Sequence, residues 1–150
     1  VWPVLVWSAL GTREARFGTA PLFASSPRPL DRQLPAQWLA GVCVAVLFTA
    51  ALGLRLFAAG EWAAGAAWLG GVLFVPAFAL ASGTLTGNPR LFEAVYLCMW
   101  YGGVLNRVPA IDPSGGSVPA NGWGTALGFA AATVGMLIVA RIARARRWFA

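Results

Sequence analysis

Of the 150 residues, 59% are hydrophobic and only 11% charged, and the mean hydropathy is +0.69, leaving too little polar surface for a soluble domain of this length. All eleven basic residues are arginine, histidine and lysine are absent, and five acids leave a formal net charge of +6. Within these residues that inventory excludes the G-x-x-x-x-G-K-[S/T] loop that cradles nucleotide phosphates, because the loop needs a lysine.

Taken in chain order, the apolar opening VWPVLVWSAL reads as the end of a helix that begins upstream. Residues 11–35 form a charged connector in which Arg13, Glu14 and Arg16 fall within four positions. Two apolar segments follow, Gln37 to Phe57 and Trp62 to Ala81, and each matches the roughly 20 residues that cross a bilayer core. Leu91 to Leu105 is shorter. It reaches about 25 Å if Asn88 caps the helix and Pro89 sits in its first turn. The Gly- and Pro-rich stretch NRVPAIDPSGGSVPANG then marks 106–121 as irregular backbone, either a simple exposed loop or a partial re-entry whose polar groups are satisfied by protein or water. Gly122 to Ala140 is the last apolar segment and runs uncharged until Arg141. The expected fold is an all-α polytopic membrane helix bundle, with four complete transmembrane helices plus the end of another, in one transmembrane domain.

Arginine placement orients this bundle. Nine arginines fall in the 11–35 connector, the 83–90 loop and the C-terminal tail, against two, Arg55 and Arg107, on the other side. Because basic residues accumulate in cytoplasmic loops, the connector and C-terminus are expected in the cytoplasm and 106–121 outside. The tail RIARARRWF then lies against anionic headgroups, and no aromatic-basic module points to nucleic acid. Trp38, Trp62, Trp123 and Trp148 fall where interfacial anchors belong. Trp68 and Trp100 lie deeper, as packing residues or as the lining of a pathway.

Little here supports catalysis. Glu14, Asp31, Glu61, Glu93 and Asp112 all lie away from the middle of a span, and Glu93 has a simple role near a helix N-terminus, three residues after Arg90. Cys43 and Cys98 sit apart within apolar helices and read as small buried hydrophobes rather than metal ligands. No catalytic or metal site is expected. Packing signals are stronger: Gly124, Gly128 and Ala132 recur every four residues on the last helix, as do Ala63, Ala67 and Gly71 on an earlier one. Such stripes allow another helix to approach closely, within or between chains.

In the connector, Glu14-x-x-x-Gly18-Thr19 followed by Leu22 and Ser26-Pro27-Arg28 resembles the cytoplasmic segment after the second helix in permease subunits of type-2 ATP-binding-cassette (ABC) transporters. The order of helices and the irregular segment before the last one resemble that family too. Pro21 and the absence of a lysine entering the next helix depart from its pattern. The resemblance implies the C-terminal portion of a six-helix permease, an exporter subunit, in a bacterial inner membrane. It implies a homodimer or heterodimer of permeases with two cytoplasmic ATPases, which bind the ATP and Mg. Arg13, Glu14 and Arg16 would contact the ATPase through a short coupling helix that Gly18 and Thr19 end. A reading from a different class is a non-transporting scaffold or accessory subunit of a membrane complex.

Overall fold

The computed structural model describes residues 2–12, 17 and 29–149, and among them all regular structure is helical. The order is α1 (Trp2–Ser8), α2 (Pro29–Ala58), α3 (Trp62–Thr86), α4 (Arg90–Met99) and α5 (Trp123–Phe149). A π-helical turn, Trp100–Leu105, continues α4, and a 3-10 turn at Pro109–Ile111 lies between it and α5.

Three helices are long and apolar enough to cross a membrane, over Arg32–Ala58, Trp62–Thr86 and Trp123–Arg146, which makes the chain membrane-integral. The fourth complete span expected over Leu91–Leu105 is not among them. Its start is as expected: Asn88 Oδ1 accepts the Arg90 N–H at 3.0 Å, with Pro89 in αR geometry. However, the 10 residues of α4 and the 6 of its π-helical turn give roughly 24 Å at full helical rise, short of a bilayer core of about 30 Å.

Two helices outrun their apolar stretches. Helix α2 starts at Pro29, inside the expected connector, because Leu34 is buried with Leu80, Ala81 and Ala140 in a small second core. Tertiary burial of this kind sustains helix beyond what local sequence favours, even with Pro35 inside. Helix α5 runs through the arginine tail to Phe149. Arg141 and Arg146 are exposed, but Arg144 is only 3% exposed, and its Nη2 donates to Gln37 Oε1 at 2.8 Å. One tail arginine therefore ties α5 to α2 instead of facing headgroups.

Helix α3 is the centre of the bundle. Inside the bundle lies 78% of its apolar window, against 22% for the windows of α2 and α5, and it packs against all four other α-helices. Its sequence explains this, since Ala63, Ala64, Ala67, Ala77, Ala79 and Ala81 are almost fully buried and let neighbours approach closely. Aromatic rings fill the wider gaps. Phe74 meets Phe129 of α5 at 5.4 Å and Phe78 meets Phe92 of α4 at 5.6 Å, in tilted arrangements that favour ring pairs. Trp38 Nε1 donates to the Leu73 carbonyl at 3.0 Å, near the turn where Pro76 has no N–H to offer.

The tightest approach joins the turn after α1 to the far end of α3. A Cβ on Gly83 would stand 2.6 Å from the Gly11 Cα, so the two backbones touch directly. By contrast, Gly124 and Gly128 of the expected α5 stripe face open space, and only Ala132 packs towards the core. Cys43 and Cys98 are free and exposed, not buried as expected. Their helices turn those sides outward, where an apolar residue suits lipid as well as protein.

These contacts separate two glycine sites. Gly83→Val forces the Gly11 and Gly83 backbones apart, an overpacking cost of roughly 1–3 kcal/mol or more. Gly128→Val should be close to neutral, since its added Cβ meets nothing. Apparent melting temperatures in detergent check the contrast; equal values for the two variants would contradict the close approach.

Candidate functional site

The segment 106–121 folds back along α3 instead of standing clear of the bundle. A Cβ on Gly71 would lie 2.0 Å from the Pro113 carbonyl oxygen, so Pro113 rests on α3 at a level roughly 14 Å along the helix axis from Trp62. Gly115, at φ +73, sits where a Cβ would strike the Ala64 carbonyl oxygen at 2.3 Å. Only glycine meets both the left-handed backbone and that contact. Gly103 of the π-helical turn gives room to the other side of the segment, against Ile111 and Asp112.

Irregular backbone at this depth must satisfy its own polar groups, and Asp112 organises that. Its side chain is fully buried. Oδ1 accepts the Ser114 N–H at 2.8 Å and the Ser114 hydroxyl at 2.6 Å, and Oδ2 accepts the Ser117 N–H at 2.8 Å. Ser117 Oγ in turn donates to the Gly103 carbonyl at 3.2 Å, fastening the segment to the π-helical turn. Asp112 is therefore a structural carboxylate, and sequence reasoning passed over it. The signal was present in DPSGGS, where an Asp before Ser and Gly can fold a turn around its side chain.

Beneath this roof is a cavity of about 180 Å³. Trp7 of α1 and Thr49 and Leu52 of α2 form one side. Trp68, Val72 and Val75 of α3 form the back. Tyr96, Trp100 and Val104 close the other side, and Pro113 and Ser114 cover it. Trp100 and Val104, four positions apart on the π-helical turn, share the face that meets the lining. Trp68 is a packing residue of the core, as its depth in the sequence suggests, and both Trp68 and Trp100 border this cavity.

No charged side chain reaches this lining, and most of its polar groups are already engaged. Trp7 Nε1 donates to the Gly41 carbonyl at 3.1 Å, and Trp68 Nε1 donates to Thr49 Oγ1 at 3.0 Å. Thr49 Oγ1 donates in turn to the Ala45 carbonyl at 2.7 Å. What remains is ring faces, aliphatic carbon, the Trp100 indole N–H and the Tyr96 hydroxyl. Such a site accepts neutral, apolar groups and penalises an ion by the cost of removing it from water.

Glu93, Gly124 and Gly128, also singled out by sequence, do not line this cavity. Arg13, Glu14, Arg16, Gly18 and Thr19 lie outside the described residues. Gly124 and Gly128 lie on the open face of α5. Glu93 is half-buried in the first turn of α4. Among the described residues no group of acids and cysteines is arranged to hold a metal ion. Comparison with known proteins finds no match, whether among protein-family models, curated proteins or solved structures.

Asp112 supplies the sharpest test of the roof. Asp112→Ala strands two half-buried N–H groups and a hydroxyl, each worth up to roughly 1–3 kcal/mol when left unpaired. Asp112→Asn keeps one acceptor oxygen and should lose less. Thermal unfolding in detergent, with protease sensitivity of 106–121 as a local readout, should rank wild type above Asn and Asn above Ala.

Proposed function

We propose that the chain is the transmembrane permease subunit of an ABC transporter, an exporter that couples ATP hydrolysis by a separate ATPase to movement of a substrate across the membrane. The observation that carries this reading is the connector pattern Glu14-x-x-x-Gly18-Thr19 with Ser26-Pro27-Arg28, lying between α1 and α2 in an all-helical membrane chain. With nine arginines on the connector side against two opposite, the connector and C-terminus face the cytoplasm, where an ATPase is available.

The packing gives such a connector mechanical leverage. Its first residue, Gly11, bears on α3 at Gly83, and α3 touches every other α-helix. Its far end leads into α2, which the Gln37–Arg144 hydrogen bond joins to α5. A partner that grips the connector would therefore displace the central helix from one side and α5 from the other. Arg13, Glu14 and Arg16 supply the oriented polar contacts for that grip, and Gly18 with Thr19 the break that ends the docking helix. The open α5 face at Gly124 and Gly128 suits helix packing with a second permease subunit. ATP and Mg belong to the partner, and this chain supplies no covalent step.

Docking is tested directly with the complete permease. It should co-purify with its cytoplasmic ATPase and alter that enzyme's turnover in liposomes. Glu14→Arg should weaken binding by about tenfold or more, as expected when a charge is reversed in a docked interface. A complete permease that neither binds an ATPase nor changes its turnover would exclude the reading.

A further inference from the structure

A second pocket, of about 360 Å³, opens between the start of α3 and the segment 106–121, and its lining differs in kind from the apolar cavity. Glu61, the residue preceding α3, contributes a carboxylate, and Arg107, just beyond the π-helical turn, contributes a guanidinium. Gly116, Ser117 and Pro119 form its wall. Both charged residues are exposed, and among the described residues neither has an ion-pair partner, including each other. Opposite charges that share a pocket without meeting leave space for a ligand carrying both complementary charges.

The backbone adds an independent observation. Arg107 is held at φ +53, and it is the one non-glycine residue with positive φ among those described. This left-handed conformation is unfavourable for a residue with a Cβ, and such outliers cluster at ligand clamps and other functional sites. It is enforced on both sides: the Asn106 N–H donates to the Tyr101 carbonyl at 3.1 Å, and the Val108 N–H donates to the Gly102 carbonyl at 3.2 Å. An exposed connection without a binding role would be served at least as well by glycine.

From this juxtaposition we propose that Glu61 and Arg107 form a binding site for a small zwitterion, with the primary ammonium on Glu61 and the phosphate or carboxylate on Arg107. A guanidinium presents a planar fork of donors to an anionic oxygen pair, and a carboxylate accepts hydrogen bonds from an ammonium. Trp62 and Trp123, both exposed, lie next to this end of α3 and α5, where interfacial tryptophans sit at headgroup level. The ligand's source is therefore either an ethanolamine phospholipid headgroup or a free zwitterion of the same chemistry. The assignment rests on the pocket and stands whether or not the chain belongs to a transporter.

The experiment measures lipid retention by the full chain using native mass spectrometry, from nanodiscs of ethanolamine, choline or glycerol phospholipid, with free phosphoethanolamine as competitor. Wild type should retain the ethanolamine lipid at least about tenfold better than the other two, since a quaternary ammonium has no N–H for Glu61 and a glycerol headgroup has no cation. Glu61→Gln and Arg107→Gln should each abolish that preference. Loss of retained lipid on adding phosphoethanolamine assigns the site to the free zwitterion, and retention despite it assigns the site to the lipid. Both outcomes support the proposal. Equal retention of all three lipids with no effect of phosphoethanolamine on melting temperature, or a preference unchanged in both variants, overturns it. Equal binding of the glycerol lipid that survives Glu61→Gln also overturns it, by reducing the site to an anion contact. Arg107→Gly removes the guanidinium while relieving the backbone, so lost retention in a chain at least as heat-stable as wild type separates binding from folding.

Discussion

Close approach of backbone to α3 is the constraint from which the rest of the structure follows. A helix lined with alanine and glycine presents little side-chain volume, so neighbours can come near enough to gain dispersion contacts along their length. In a membrane this matters more than burial of apolar surface, because lipid is as apolar as the helices themselves. At Gly83 the approach is backbone to backbone with Gly11, and at Gly71 it is backbone to loop with Pro113. The same helix thus serves as the seat of the turn after α1 at one end and of the folded-back segment at the other.

Several polar groups carried into this apolar setting are handled locally. Asp112 gathers the donors of Ser114 and Ser117, Trp38 serves a carbonyl beside the Pro76 turn, and Trp7 serves one on α2. Each bond spares an exposed dipole in hydrocarbon and also fixes the relative position of two segments. That double duty explains why the central cavity is so apolar: the polar atoms around it are spent on holding its walls. The charged pocket at the loop end lies where water is available, and there Glu61 and Arg107 stand exposed.

The tie between Arg144 and Gln37 shows how a charge assigned by sequence to one task is used for another. Its neighbours Arg141 and Arg146 are exposed, as a headgroup-facing tail requires. Arg144 falls on the helix face that Ala140 buries against Leu34, and a long side chain there reaches Gln37. The contact so formed ties the first part of α2 to the last part of α5.

The sequence by itself determined the class of the molecule. Charge-free stretches of the right length admit membrane helices and little else, so the three spanning helices, the Asn88-Pro89 helix start and the small-residue face of α3 were all legible in local composition and spacing. Tertiary structure decided what local pattern does not encode: which face of a uniformly apolar helix turns inward. Cys43 and Gly128 point out, while Trp68 points in, because in lipid an apolar side chain carries no marker of direction. It also decided where 106–121 lies, since its fit depends on Gly71 and Ala64 of α3, more than thirty positions away in the chain. Asp112 could be read as a turn residue, but its burial became visible only when the segment met the helix on which it rests.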